Sequence, residues 1–174
     1  MLSKKMFLGI ILSFVTSAAY ADNVCLRTSA VRVAIEQKVN KPCNQITALD
    51  LASVTGNLML SSNDITDLKA VDFQGLSSLI SLSLDGNQLP AGVFQGLTSL
   101  QMLYLTGNKI SSFPVGIFQG LPSLLLLSID NNSISSLPEV IFQGTTLISV
   151  SLDNNQIESL PEAVFQGLNE RFFF

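Results

Sequence analysis

The stretch "LQMLYLTGNKISSFPVGIFQGLPSLLLLSIDNNSISSLPEVIFQG", residues 100–144, is nearly one sentence written twice. Aligned on the tripeptide FQG, Phe73, Phe94, Phe118, Phe142 and Phe165 fall in register, separated by 21, 24, 24 and 23 residues. A fixed period in the twenties is the mark of a solenoid, whose turns bury their apolar faces only against one another. A second column runs beside the first: Asn63, Asn87, Asn108, Asn132 and Asn155. Around it apolar residues recur as LxxLxLxxNxL, first as Leu79, Leu82, Leu84, Asn87 and Leu89, then as Leu100, Leu103, Leu105, Asn108 and Ile110. The third copy is Leu124, Leu127, Ile129, Asn132 and Ile134, and the fourth is Leu147, Val150, Leu152, Asn155 and Ile157. An earlier, weaker copy holds Leu58, Leu60, Asn63 and Ile65, with Thr55 in place of its first leucine.

Each part of the unit has a physical reading. The LxL alternation is the period-2 signature of a short strand with one buried face. After the strand the chain must turn, and an Asn amide supplies both an acceptor and two donors for the unpaired backbone groups of neighbouring coils. The Asn column therefore reads as holding loops, not ligands. Pro114, Pro138 and Pro161 end the run that follows, and the Phe column fills the coil from its convex side.

With these motifs in hand, the chain resembles extracellular leucine-rich repeat proteins of the typical 24-residue class, over roughly residues 46–170. The pattern is most similar to secreted bacterial repeat proteins with a Cys-bounded N-terminal cap. The resemblance implies an α/β solenoid, a leucine-rich repeat horseshoe with short parallel strands on its concave face and about five coils. Two copies depart from the pattern. Three residues are missing between Leu89 and Phe94, and FQGTTL at Phe142 is one residue short and lacks the leucine found at Leu76, Leu97 and Leu121.

Outside the repeats, the first 21 residues read as a secretory signal peptide. Lys4 and Lys5 form its positive end, Met6 to Val15 its apolar run, and Ala19-Tyr20-Ala21 its cleavage site. That run is too short to cross a bilayer as a helix. A lipid anchor on Cys25 would want small apolar residues where Asp22, Asn23 and Val24 stand. A mature chain from Asp22 keeps seven basic and thirteen acidic residues, a formal charge of -6 against -4 for the whole chain. Such a chain has no electrostatic basis for gripping nucleic acid.

Export to an oxidising compartment makes Cys25 and Cys43, the only two cysteines, read as one disulfide, the alternative being two separate buried thiols. Two Cys and no His fall short of a structural zinc site. Between the cysteines, Ser29 to Val39 predicts a short amphipathic helix with Ser29 as N-cap and Val31, Ala34 and Ile35 on its inner side, with the Lys38 stem. Residues 22–45 thus read as a disulfide-clamped cap over the first coil, and residues 46–174 as the repeat domain. The ending LNERFFF has no such cap. Three terminal phenylalanines imply a truncated longer array, a contact to another chain, or an envelope-associated terminus.

Without histidine, no Ser-His-Asp triad, Cys-His dyad or His-ligated metal can be built. On an open strand face, paired carboxylates lack the desolvation that glycosidic catalysis needs. A calcium ion would need a wrapping loop with six to eight oxygens, so no metal and no cofactor is expected. The strand positions do suggest a binding face. Tyr104, Met102 and Leu126 form an amphipathic centre, with Asp85, Asp130 and Asp153 at the strand ends as an acidic rim suited to a basic partner. Two functions remain open: an exported, non-catalytic protein-binding module acting through its concave face, or a structural, cell-envelope-associated repeat protein.

Overall fold

The computed structural model describes residues 24–61, 65, 68–87, 93–166 and 168. The segment read above as a signal peptide, Asn63, Leu89 and the terminal phenylalanines lie outside them. Five short strands form one parallel sheet in sequence order: β1 (Gly56–Met59), β2 (Leu79–Ser83), β3 (Met102–Tyr104), β4 (Leu126–Ser128) and β5 (Ser149–Ser151). The fold is a parallel-strand solenoid of leucine-rich repeat type, each coil delivering one strand to the sheet.

The repeated leucines explain the stacking. Leu82, Leu103, Leu127 and Val150 pair across the strands, and all four are buried. Leu79, Leu100, Leu124 and Leu147 are fully buried behind them. On the opposite side of the core Phe94, Phe118, Phe142 and Phe165 stack with ring centroids 6.2, 6.1 and 6.0 Å apart. Each ring thus covers the next coil and spans its width. The FQG glycines have a backbone reason: Gly75, Gly96, Gly120 and Gly144 all take φ between 83° and 89°, where a side chain is strained. Thr145 fills the position of the missing leucine. It is buried, with its hydroxyl donating to the Phe142 carbonyl at 2.7 Å, so the polar atom is satisfied inside the core.

Turns after the strands show a second left-handed position. Gly86, Gly107, Asn131 and Asn154 have φ of 74°, 67°, 55° and 55°, and each stands immediately before an Asn of the ladder. Gly and Asn are the residues that tolerate this region. The ladder amides then join adjacent coils. Asn132 Nδ2 donates to the carbonyls of Leu105, Ile129 and Asp130 at 2.9, 2.9 and 3.1 Å, and its Oδ1 accepts from Ile110 N at 3.1 Å. Asn87 and Asn155 repeat the arrangement, accepting from Ile65 N and Ile134 N.

At the N-terminus, helix α1 (Ser29–Val39) buries Val31 and Ile35, and the short helix α2 (Ala48–Ala52) follows. A Cys25–Cys43 disulfide closes the cap, with Cα atoms 5.1 Å apart. The N-cap of α1 is Thr28, not Ser29, and its hydroxyl does not cap the helix. It is drawn away to Asp72, donating to Oδ2 at 2.6 Å, while Thr28 N donates to Oδ1 at 2.9 Å. Asp72 also accepts from Lys69 N at 2.7 Å. Arg27 donates to the main-chain carbonyls of Asp72 and Gln74 at 2.8 and 2.6 Å. Burial lowers the Arg27 guanidinium to about 10, partly offset by the neighbouring Asp72 charge, so it remains cationic at neutral pH. The other end of the cap is fixed by α2, where Thr47 and Asp50 form a capping box and Lys41 Nζ meets Asp50 Oδ1 at 2.7 Å.

Candidate functional site

Side chains on the free face of the sheet stand in two rows. Met59, Ser83, Tyr104, Ser128 and Ser151 pair Cα to Cα across the five strands. Asn57, Ser81, Met102, Leu126 and Ser149 form the parallel row. In-register parallel strands bring such neighbours to about 4.8 Å, so Met102 and Leu126 lie side by side, with Tyr104 two residues along β3 from Met102 and diagonal to Leu126. Met102 and Tyr104 are half-buried, Leu126 is 36% exposed, and the Tyr104 hydroxyl sits 3.6 Å from Met102 Sδ. This apolar centre lies on the third and fourth strands. Its neighbours Ser81 and Ser83 are buried, which an open strand surface would not suggest.

The three aspartates are not alike. Asp85 Oδ1 accepts from Thr106 N at 2.6 Å, and its Oδ2 from Ser83 Oγ at 3.0 Å and Ser61 Oγ at 3.4 Å. Asp130 repeats this one step along. Its Oδ1 accepts from Asp153 N at 2.8 Å and Ser151 Oγ at 2.5 Å, its Oδ2 from Ser128 Oγ at 2.9 Å. Hydroxyl–hydroxyl hydrogen bonds, Ser61 with Ser83 and Thr106 with Ser128, join the two clusters into one polar row across all five coils. With three donors each, these carboxylates have spent most of their accepting capacity inside the protein. They contribute charge to the face and order to the turns. Asp153, in the last turn, is exposed, and its carboxylate accepts nothing from a described residue.

The signal for this polar row was present in the sequence as Ser83-Leu84-Asp85, Ser128-Ile129-Asp130 and Ser151-Leu152-Asp153, a repeated Ser-x-Asp that reading the aspartates as a rim overlooks. A shallow groove of about 360 Å3 also lies beside the face, lined by Ala30, Val33, Ala34 and Gln37 of α1 with Met59 and Leu60. Met59, 73% exposed, links it to the strand row. Chemically the surface offers an apolar centre, hydroxyls already bonded to carboxylates, and negative charge. Neither row carries a Lys or Arg, and the one basic residue close to the turns is Lys109, after Asn108.

Repeat geometry of this kind defines a class, and the comparisons agree with it. A leucine rich repeat family model matches residues 88–134 and 98–149. Among solved structures, an internalin from Listeria monocytogenes is 23% identical with a TM-score of 0.60, covering 75% of this chain and 38% of its own. A Leptospira interrogans leucine-rich repeat protein is 34% identical with a TM-score of 0.56, over 68% of this chain and 30% of its own. A chain of the Drosophila Toll–Spatzle complex gives 28% identity and a TM-score of 0.54, over 63% of this chain and 15% of the matched one. No curated protein sequence matches the chain. The chain is a leucine-rich repeat protein, and it spans well under half the length of these structural relatives.

Proposed function

We propose that this chain is an exported, non-catalytic protein-binding module that engages its partner through the concave strand face. The observation that carries the reading is the apolar centre of Met102, Tyr104 and Leu126, set between bonded hydroxyls and negative charge. Aromatic and Met side chains are favoured at the cores of protein interfaces, and a half-exposed Tyr offers large contact area at little entropic expense. Asp85, Asp130 and Asp153 bias the choice toward a basic partner and act chiefly on its rate of arrival. The similar Drosophila structure is a Toll–Spatzle complex, which fits use of the repeat in protein interaction. Export is supported by the signal-peptide pattern and by the disulfide. No helix among the described residues is long and apolar enough to cross a membrane.

The test is a photo-crosslinking residue placed at Tyr104, with the same residue at Val115 on the exposed convex side as control. Partners captured from Tyr104 alone, and lost on Met102→Glu in a chain that still folds, support the reading. Equal capture from both positions would overturn it.

A further inference from the structure

The hydrogen bonds between coils recur at fixed positions, which makes the last coil informative. Leu60, Leu84, Leu105 and Ile129 each donate their N–H to a carbonyl of the following coil, at Ser83, Tyr104, Ser128 and Ser151. Gly86, Gly107 and Asn131 do the same to Thr106, Asp130 and Asp153. In return the carbonyls of Ile80, Gln101 and Leu125 accept from Gln101, Leu125 and Ile148. Asn132 Oδ1 and Asn155 Oδ1 accept from Ile110 N and Ile134 N of the coils before them. The equivalent groups on the outer edge of β5 are the N–H groups of Leu152, Asn154 and Ile157 and the carbonyl of Ile148. No described residue bonds any of them. The Asp153 carboxylate is the matching free acceptor, since Asp85 and Asp130 each take an N–H from the next coil at Thr106 and Asp153.

We infer that the β5 edge is a docking site for an extended, basic peptide segment that adds as a sixth parallel strand. The edge offers one carbonyl just before β5 and three N–H donors in the turn after it, the same groups through which each earlier coil holds its successor, and strand addition draws its affinity from such main-chain bonds. Partly buried Leu152 and Ile157 and the 43%-exposed Leu160 border it and would meet apolar side chains. Charge selects the occupant. Between residues 110 and 168 the only charged residues are Asp130, Glu139, Asp153, Glu158 and Glu162, with no Lys or Arg. A second copy pairing edge to edge would bring Asp153, Glu158 and Glu162 against themselves, whereas a strand carrying Lys or Arg meets them with opposite sign.

The experiment uses the full oxidised chain and a fluorescent nine-residue peptide alternating Val with Lys. Its controls are the same peptide with Glu for Lys, and with alternate backbone nitrogens methylated. The expected result is saturable anisotropy binding that weakens at high salt, is absent for the Glu peptide and falls roughly tenfold on methylation. Amide exchange at Leu152, Asn154 and Ile157 should slow on binding. A Tyr104→Ala chain should bind this peptide unchanged, which separates this site from the concave-face reading. Absence of binding would overturn the proposal, as would protection that maps to the concave face. So would slow exchange at those three amides in the free chain, which would mean that the chain's own residues after Leu168 or a second copy already cover the edge.

Discussion

Asp72 occupies a column that is otherwise apolar. In the position before the FQG phenylalanine the chain has Asp72, Val93, Ile117, Ile141 and Val164, and all five are buried. A repair toward the repeat consensus, Asp72→Val, would ordinarily be expected to stabilise. The structure requires the opposite. Valine matches the rest of the column but removes the acceptor of Thr28 N, Thr28 Oγ1 and Lys69 N, at 2.9, 2.6 and 2.7 Å. It also leaves the buried Arg27 guanidinium without its neighbouring charge. Orphaning a buried donor costs about 1–3 kcal/mol, and removing one member of a buried charged cluster about 3–5 kcal/mol. Against roughly 1 kcal/mol of extra apolar burial, the net loss is about 2–4 kcal/mol. For a chain of this size that lowers Tm by roughly 10 °C. Urea unfolding followed by circular dichroism measures the total, and amide exchange over residues 29–39 of α1 shows where it is lost. The triple variant Arg27→Met, Thr28→Val, Asp72→Val should recover only part of the deficit, because it removes the unpaired guanidinium and hydroxyl but leaves the main-chain N–H groups of Thr28 and Lys69 without their acceptor. A single Asp72→Val variant within 1 kcal/mol of the parent, or one more stable, would refute the assignment of this cluster as the clamp on the cap.

Asn132→Ala should lower stability by about 1–3 kcal/mol in the same urea assay, since it strands Ile110 N, while the Leu105, Ile129 and Asp130 carbonyls keep Asn108 Nδ2, Asn155 Nδ2 and Gly107 N as donors, and its loss should exceed that of Asn155→Ala in the half-buried last turn. Replacing both Cys25 and Cys43 by Ser should cost about 3 kcal/mol and loosen α1 before the strands, a difference that exchange on the two regions would resolve. The Asp50 carboxyl is lowered to about 2, first by the hydrogen bond from Lys41 and then by the amide and hydroxyl of Thr47. Its folded pKa lies below the unfolded value of about 3.9, so the stabilisation is complete above that pH and fades as pH falls toward 2. Asp50→Asn should therefore flatten the fall in urea midpoint between about pH 4 and 2, and a parallel fall in both chains would contradict the account.

Periodic features were legible in the sequence and singular ones were not. The Phe register, the LxL alternation and the run from Ser29 to Val39 each state a spacing that only one regular element satisfies, and the sheet, the stacked rings and α1 follow them. Thr28 was missed as the N-cap because Ser29 meets the local rule equally well, and the decision is made by Asp72, 44 residues away. Such a choice has no local signature. Asp72 itself could have been found, since it is the one charged residue in an apolar column, a departure that implies buried partners. On the concave face the register of Met102, Tyr104 and Leu126 followed from alternation, but the different situations of the three aspartates did not. Asp85 and Asp130 are bonded because a further coil follows each of them, and Asp153 is open because no described coil does.

The same asymmetry organises the two ends of the stack. A parallel solenoid presents unpaired backbone and an open apolar core at each terminus, and water covers the first far better than the second. At the N-terminal end the chain spends a disulfide, a helix and a departure from its own repeat at Asp72 to close that surface. Arg27, Arg32, Lys38, Lys41 and Lys69 gather there, so five of the chain's nine basic residues lie within and just beyond the cap. At the β5 end the described residues keep the repeat pattern to the last turn, leaving donors and acceptors in ladder order and only negative charge around them. Symmetric self-pairing at that edge would stack carboxylates, while a strand of opposite charge would complete the ladder. The concave centre at Tyr104 lies between these ends, held by coils bonded on both sides. A ligand on that face therefore meets a surface whose geometry does not depend on what covers the β5 edge, and binding at the two places should be separable.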